Sequence, residues 1–371
     1  MLTRANDRGK ECRLPETTKP PIFDGHNDVL LRLAMAGGTD AAQSFIDGSD
    51  GHINLTKAKA GGLGGGFFAI YVPTPGPEIS KDDRYSEMNQ AEYSLPLDEA
   101  VTLDNAQPVA MEQIAILLRL QELGALKICH TTADLRACFS SGKMAAIMHM
   151  EGAEAIDEDL HALEAFYAAG LRSIGPVWSR PTIFAHGVPF RYPSSPDTGP
   201  GLTDAGVRLV KRCNQLGVML DLSHLNEAGF WDIAKHSNAP LVATHSNAHA
   251  ICPHARNLID NQLDAISESD GMVGLNYACA FLREDGQMLA DVPFDTLLRH
   301  LDYLMERLGE DRVGLGSDFD GALVPDVIAD ASGLAAFRDA MAAHGYGDEL
   351  MRKICNENWL RVLDITWGAG N

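Results

Sequence analysis

Eight short apolar runs recur along this chain: PIFDGHND, GGGFFAIYV, MAAIMHMEG, LRSIGPVWS, GVMLDLSHL, PLVATHSN, GMVGLNYACAF and DRVGLGSDFDG. Most are separated by stretches with amphipathic helical spacing, such as AMEQIAILLRLQELG, LHALEAFYAAG, TDAGVRLVKRCNQLG and FDTLLRHLDYLMERLG. Each of these ends at or near a glycine, as helix C-termini do. A repeated strand-then-helix order predicts a parallel sheet, and eight such units predict a closed (β/α)8 barrel of the TIM type. The competing doubly wound open sheet is disfavoured because no G-x-G-x-x-G turn follows the first strand.

A chain of 371 residues, 45% of them hydrophobic, can bury a core of that size as one domain. The expected layout is an N-terminal extension over 1–20, the barrel over 21–367 and a frayed tail over 368–371. Two long connections, from about Pro73 to Pro108 and from Ser179 to Gly201, each follow a strand. They are therefore expected over the C-terminal mouth, where barrel active sites sit.

The formal charge of −21, with no long Lys/Arg run, argues against nucleic acid and anionic membrane surfaces as partners. The N-terminal stretch MLTRANDRGKECRLPETTKPP has no apolar signal-type core, and no uncharged run is long enough to span a bilayer. A cytoplasmic protein without a membrane anchor is expected. The seven cysteines are odd in number and lack C-x-x-C spacing, so they read as free thiols.

In a strand, residues two apart share a face, so His26 and Asp28 at the end of the first run point the same way. Glu151, His224, His245 and Asp318 close four other runs. Taken singly, each is an ordinary rim residue or helix cap. Together, three imidazoles and three carboxylates converging on one mouth require a compensating cation. Imidazole mixed with carboxylate suits zinc or a similar first-row ion, and six ligand-type groups exceed one tetrahedral site. Two metals about 3.5 Å apart would use the set, with Glu151 as the natural bridge because a carboxylate has two oxygens to share. No G-x-S-x-G elbow offers a competing nucleophile.

The stretches DGHND at 24–28, EG at 151–152, GLTDAGVRLVKRCNQLGVMLDLSHL at 201–225, THSNAHAICPHARNL at 244–258 and GSDFDG at 316–321 resemble the membrane (renal-type) dipeptidase family of binuclear zinc peptidases. The resemblance implies two Zn2+ ions, one held by His26 and Asp28 and the other by His224 and His245, with Glu151 bridging. It further implies that a metal-bridging hydroxide attacks the peptide carbonyl, that Asp318 transfers the proton, and that Arg256 binds the carboxylate of a small dipeptide. Asn276 and Tyr277 stand where they would line the same pocket. Tolerance of a D-residue at the C-terminal position also follows from the resemblance alone, and a homodimer is compatible with it. The chain departs from the family pattern at PVWSR, where Trp178 replaces a strand-end histidine. Either His186 in the following loop folds back to supply an imidazole, or Trp178 simply walls the pocket. Two alternatives stay open: a barrel hydrolase of another amide, lactone or phosphoester, and a catalytically silent binding barrel.

Overall fold

The computed structural model of the chain describes residues 19–48, 50–75 and 86–368. Most of the expected N-terminal extension, the centre of the first long connection and residues 369–371 of the tail lie outside the described residues. The described residues contain eleven strands: β1 (Ile22–Asn27), β2 (Leu63–Tyr71), β3 (Tyr93–Ser94), β4 (Leu126–Ile128), β5 (Met144–Glu151), β6 (Leu171–Gly175), β7 (Arg191–Tyr192), β8 (Met219–Leu220), β9 (Val242–Ala243), β10 (Met272–Leu275) and β11 (Val313–Leu315). The eight apolar runs supply β1, β2, β5, β6, β8, β9, β10 and β11, all parallel, in the order β8-β6-β5-β2-β1-β11-β10-β9. A bridge between Asp221 and Val242 joins the two ends, so the sheet closes nearly completely into the expected barrel.

The four amphipathic stretches form helices, at Leu103–Glu122, His161–Ala169, Asp204–Leu216 and Phe294–Leu308. The first begins earlier than its proline suggests, because Pro108 sits inside it. The loop over the mouth is correspondingly shorter. β4 is a strand that the eight runs do not contain. It pairs with the first half of β5, on the edge that β6 takes over from Met148 onward.

Inside the barrel, Phe23, Phe67, Ala145, Ile147, Met219, Val242 and Met272 surround Trp359, which the C-terminal helix Asn358–Trp367 contributes. Glycines make room for that indole. A Cβ at Gly25 would lie 2.3 Å from Thr244 O and 2.7 Å from the Trp359 ring, and one at Gly274 would lie 2.0 Å from Thr244 O. A larger apolar shell separates the sheet from its helices.

At the other end, the two long connections meet. β3 and β7 pair antiparallel as a ribbon, with Tyr93 bonded through its hydroxyl to Gly286 O (2.6 Å) and Ser194 N to Pro253 O (2.8 Å). The ribbon lays Phe190 against Phe281 (ring centroids 6.1 Å, stacked) and Trp178 (5.7 Å).

Candidate metal centre

The first two ligand-type residues reach the mouth through a break in strand regularity. β1 shifts register against β2 between Asp24 and Asn27, which turns His26 into the barrel just after Gly25. Asp24 secures the break: its carboxylate accepts from Ser317 N (2.6 Å) and Ser317 Oγ (2.8 Å) at the end of β11. His224 and Asp318 lie beyond their strand ends with φ of 68° and 60°. A non-glycine residue in that region costs on the order of 1–3 kcal/mol and is held there by its surroundings. Here it turns both side chains back over the mouth.

The six expected ligand-type residues come together, all buried or nearly so. Glu151 divides its oxygens between two groups: Oε2 lies 3.6 Å from His26 Nε2, while Oε1 lies 3.1 Å from His224 Nε2 and 3.6 Å from His245 Nε2. His26 Nε2 is 3.4 Å from Asp28 Oδ2, and neither ring nitrogen of this buried histidine has a hydrogen-bond partner among the described residues. Ligand atoms of His26, Asp28 and Asp318 cluster within 4.8 Å, as do those of Glu151, His224 and His245, and those of His26, Asp221 and His245.

The hydrogen-bond network decides the tautomer of one ring. Thr244 Oγ1 donates its only proton to Asp221 Oδ2 at 2.5 Å, so it can only accept from His245 Nδ1 at 2.8 Å. His245 therefore carries its proton on Nδ1 and turns a bare lone pair on Nε2 into the cluster. That lone pair faces His224 Nε2 at 3.1 Å and the Glu151 carboxylate. On the outer side, His224 Nδ1 meets Ser179 Oγ at 2.9 Å. Ligating histidines hold their second nitrogen in this manner, and a cation among the inward atoms removes the repulsion between them.

Electrostatics agree with a metal site. Burial, then the positive charges of Arg256 and His26, hold His224 well below the ordinary imidazole value, and burial acts likewise on His245. Both are neutral near pH 7, as metal ligation requires. Burial opposes charge on His26, but Glu151 and Asp28 hold it well above the ordinary value. Burial pushes Glu151 up to about 7 and raises Asp318 as well. Carboxylates raised in this way gain by meeting a cation.

Arg256 is buried and has no carboxylate partner among the described residues. Its guanidinium donates to His245 O (3.2 Å) and Ser246 Oγ (3.4 Å), lies 5.4 Å from the Phe281 ring centre, and leaves Nε unpartnered. Desolvation lowers it to about 10. Asn276 Nδ2 donates to Asp318 Oδ2 at 3.0 Å.

Two expected residues stay away from the cluster. Tyr277 packs its ring against Phe319 (5.8 Å) and Phe337 (5.9 Å), because the strand alternation that turns Asn276 inward turns its neighbour outward. His186 Nδ1 meets Gly201 O at 3.3 Å, and none of its hydrogen bonds or ring contacts reaches the metal-type ligands. Trp178 does line the mouth, 5.8 Å from the His224 ring. The sequence reading missed Asp221, Thr244 and Ser179, which orient the imidazoles, and Tyr71, which ends β2. Tyr71 carries the same strand-end signal as Glu151, at the close of GGGFFAIYV.

Comparison with known proteins bears on this geometry. Residues 15–368 match the membrane dipeptidase family, peptidase family M19. The chain belongs to that family. It is accordingly a metallo-dipeptidase by class. A crystal structure of a metallo peptidase from Rhodobacter sphaeroides, liganded with a phosphinate mimic of the dipeptide L-Ala-D-Ala, is 54% identical. It superposes with a TM-score of 0.92 over 94% of this chain and 100% of that one. An uncharacterized protein from the pqqA 5' region of Klebsiella pneumoniae is 48% identical over 70% of this chain and 96% of its own. Dipeptidase tcpJ of Claviceps purpurea is 26% identical over 92% of this chain and 76% of its own. Despite the word membrane in the family name, no helix among the described residues of this dipeptidase is long and apolar enough to cross a bilayer.

Proposed function

We propose that the protein hydrolyses dipeptides with the help of two zinc ions, accepting L,L and L,D substrates. His26 and Asp28 would hold one ion and His224 and His245 the other, with Glu151 shared. The observation that carries this reading is the forced tautomer of His245, whose bare Nε2 faces a second imidazole and a carboxylate. The mixed N/O donor set suits zinc. When bound, such ions supply Lewis acidity and a hydroxide nucleophile at neutral pH.

The chain's own groups do the rest. Asp318, steadied by Asn276, takes the proton released during attack and passes it to the leaving amine. Arg256 forms a fork with the substrate's free carboxylate, which the buried guanidinium otherwise lacks. The β3–β7 ribbon and the aromatic residues beneath it favour small peptides over proteins. Residues 21–367 would form one catalytic domain. Acceptance of L,D substrates draws on the phosphinate-bound relative, whose ligand mimics L-Ala-D-Ala.

The test is hydrolysis of a panel of L,L- and L,D-dipeptides by protein purified with zinc, beside a chelated sample, with metal content measured. Zinc-dependent cleavage is expected. A sample holding two zinc ions that cleaves no dipeptide would overturn the substrate assignment, and Glu151→Gln with unchanged metal content and turnover would overturn the shared ligand.

A further inference from the structure

The metal-ligand cluster leaves Tyr71 unused. It ends β2, and its register partner across the sheet is Glu151. Registered residues on neighbouring strands share a face, with backbones about 4.8 Å apart. The phenol therefore faces the mouth beside the central carboxylate. Its backbone is locked from outside: Gln113 Oε1 accepts from Tyr71 N (2.9 Å), and Gln113 Nε2 donates to Tyr71 O (2.6 Å). Its ring stands edge-on to Trp178 at 5.1 Å between centroids.

Against this phenol lies Arg180, which is fully buried. Its guanidinium carbon is 5.6 Å from the Tyr71 ring centre and 5.3 Å from that of Trp178. Its Nη2 pairs with Glu154 at 2.8 Å and donates to Val72 O, while Nη1 donates to Thr74 Oγ1 at 3.2 Å. A guanidinium has donors only. It can therefore take no proton from the Tyr71 phenol, whose O–H makes no hydrogen bond among the described residues. A phenol ordinarily titrates at about 10, so its proton is present throughout the neutral range. Most other polar groups nearby are committed: Ser179 to His224, His186 to Gly201 O, and Asn276 to Asp318 and His245 O.

We propose that Tyr71 donates its O–H to the scissile carbonyl oxygen as that oxygen gains charge, with Arg180, anchored by Glu154, as the positioning residue. The inference rests on the dipeptidase reading. Tetrahedral attack places negative charge on one oxygen, and a fixed donor in a buried site stabilises it without reorganisation. The positive charge of the guanidinium beside the phenol ring makes the O–H a stronger donor.

The test compares Tyr71→Phe and Trp178→Phe in the zinc-loaded enzyme. Trp178→Phe removes the neighbouring indole N–H, the rival donor, and keeps an aromatic ring. For Tyr71→Phe, kcat on the best dipeptide is expected to fall about 10²–10³-fold, with KM within a few-fold. Its affinity for a phosphinate dipeptide analogue, read by calorimetry, should weaken about as much, while zinc content and melting temperature stay at wild-type values. Trp178→Phe alters the wall of the mouth, so a change in KM is expected there, and the kcat loss in Tyr71→Phe should exceed any in Trp178→Phe. Unchanged kcat and phosphinate affinity in Tyr71→Phe would overturn this assignment alone, as would a loss confined to Trp178→Phe. A wild-type enzyme that cleaves no dipeptide would remove the dipeptidase reading and this inference together.

Discussion

Replacing Thr244 with valine tests whether the hydroxyl next to His245 sets the metal site. The substitution keeps the branched shape and removes one oxygen. In the native protein that oxygen donates to Asp221 Oδ2 (2.5 Å) and accepts from His245 Nδ1 (2.8 Å). Asp221 is left with Thr244 N (2.9 Å) and Ser223 N (3.0 Å) on Oδ1, so its carboxylate remains satisfied on that side. His245 fares worse. The next oxygen available to its Nδ1 is Asp221 Oδ2 at 4.0 Å, too far for a hydrogen bond. A buried donor without a partner costs about 1–3 kcal/mol. The ring escapes that cost by moving its proton to Nε2, the atom needed for ligation. Removing such a supporting partner typically lowers metal affinity about 10–100-fold, or about 1.4–2.8 kcal/mol. Zinc affinity would be measured by competition with a chromophoric chelator, beside urea unfolding of the metal-free protein. Thr244→Ser, which restores the oxygen, should recover most of the affinity. A valine variant that binds zinc as tightly as the wild type would refute the tautomer argument.

Asp318→Asn should retain its metals and lose turnover by orders of magnitude, since it keeps the shape and hydrogen bonding of the side chain but cannot take a proton; equal turnover would remove Asp318 from the mechanism. Arg256→Met should lower kcat/KM on dipeptides by about 10²-fold or more while leaving dipeptide amides, which lack the carboxylate, nearly unaffected; a uniform loss on both would argue against carboxylate recognition. His300 gives a pH prediction away from the centre. Burial pushes its imidazole down to about 4, with Nδ1 accepting from Ala248 N and Nε2 donating to Leu282 O. Because the native state refuses a proton that the unfolded chain binds, this contribution is whole above pH 6.5 and is lost as pH falls toward 4, for about 3 kcal/mol in total. Unfolding of wild type and His300→Gln at pH 7 and pH 4 should show the wild-type advantage shrinking by about that amount, and a pH-independent difference would contradict it.

Local pattern determined much of this protein. The apolar runs and the helical stretches between them specify strand and helix because burial follows period 2 in one and 3.6 in the other. The ligand-type residues were legible because a barrel delivers every strand's C-terminal end to one mouth, so a strand-end position predicts a shared location. β4 escaped because LKI is too short to stand out as a run, and it pairs only where β6 has not yet begun. Pro108 read as a loop marker and proved to lie within a helix, where tertiary packing outweighs local preference. His186 and Tyr277 could not be resolved from spacing, since a loop's course and a one-residue choice of face depend on contacts far along the chain. Only the folded chain could set the break in β1 that turns His26 inward, the Asp221–Thr244 pair that fixes the proton on His245, and the apposition of Arg180 with Tyr71 across 108 residues between Val72 and its donor. Residue types and their order along the chain record which groups are available; distance, tautomer and proton direction arise only when strands remote in sequence become neighbours.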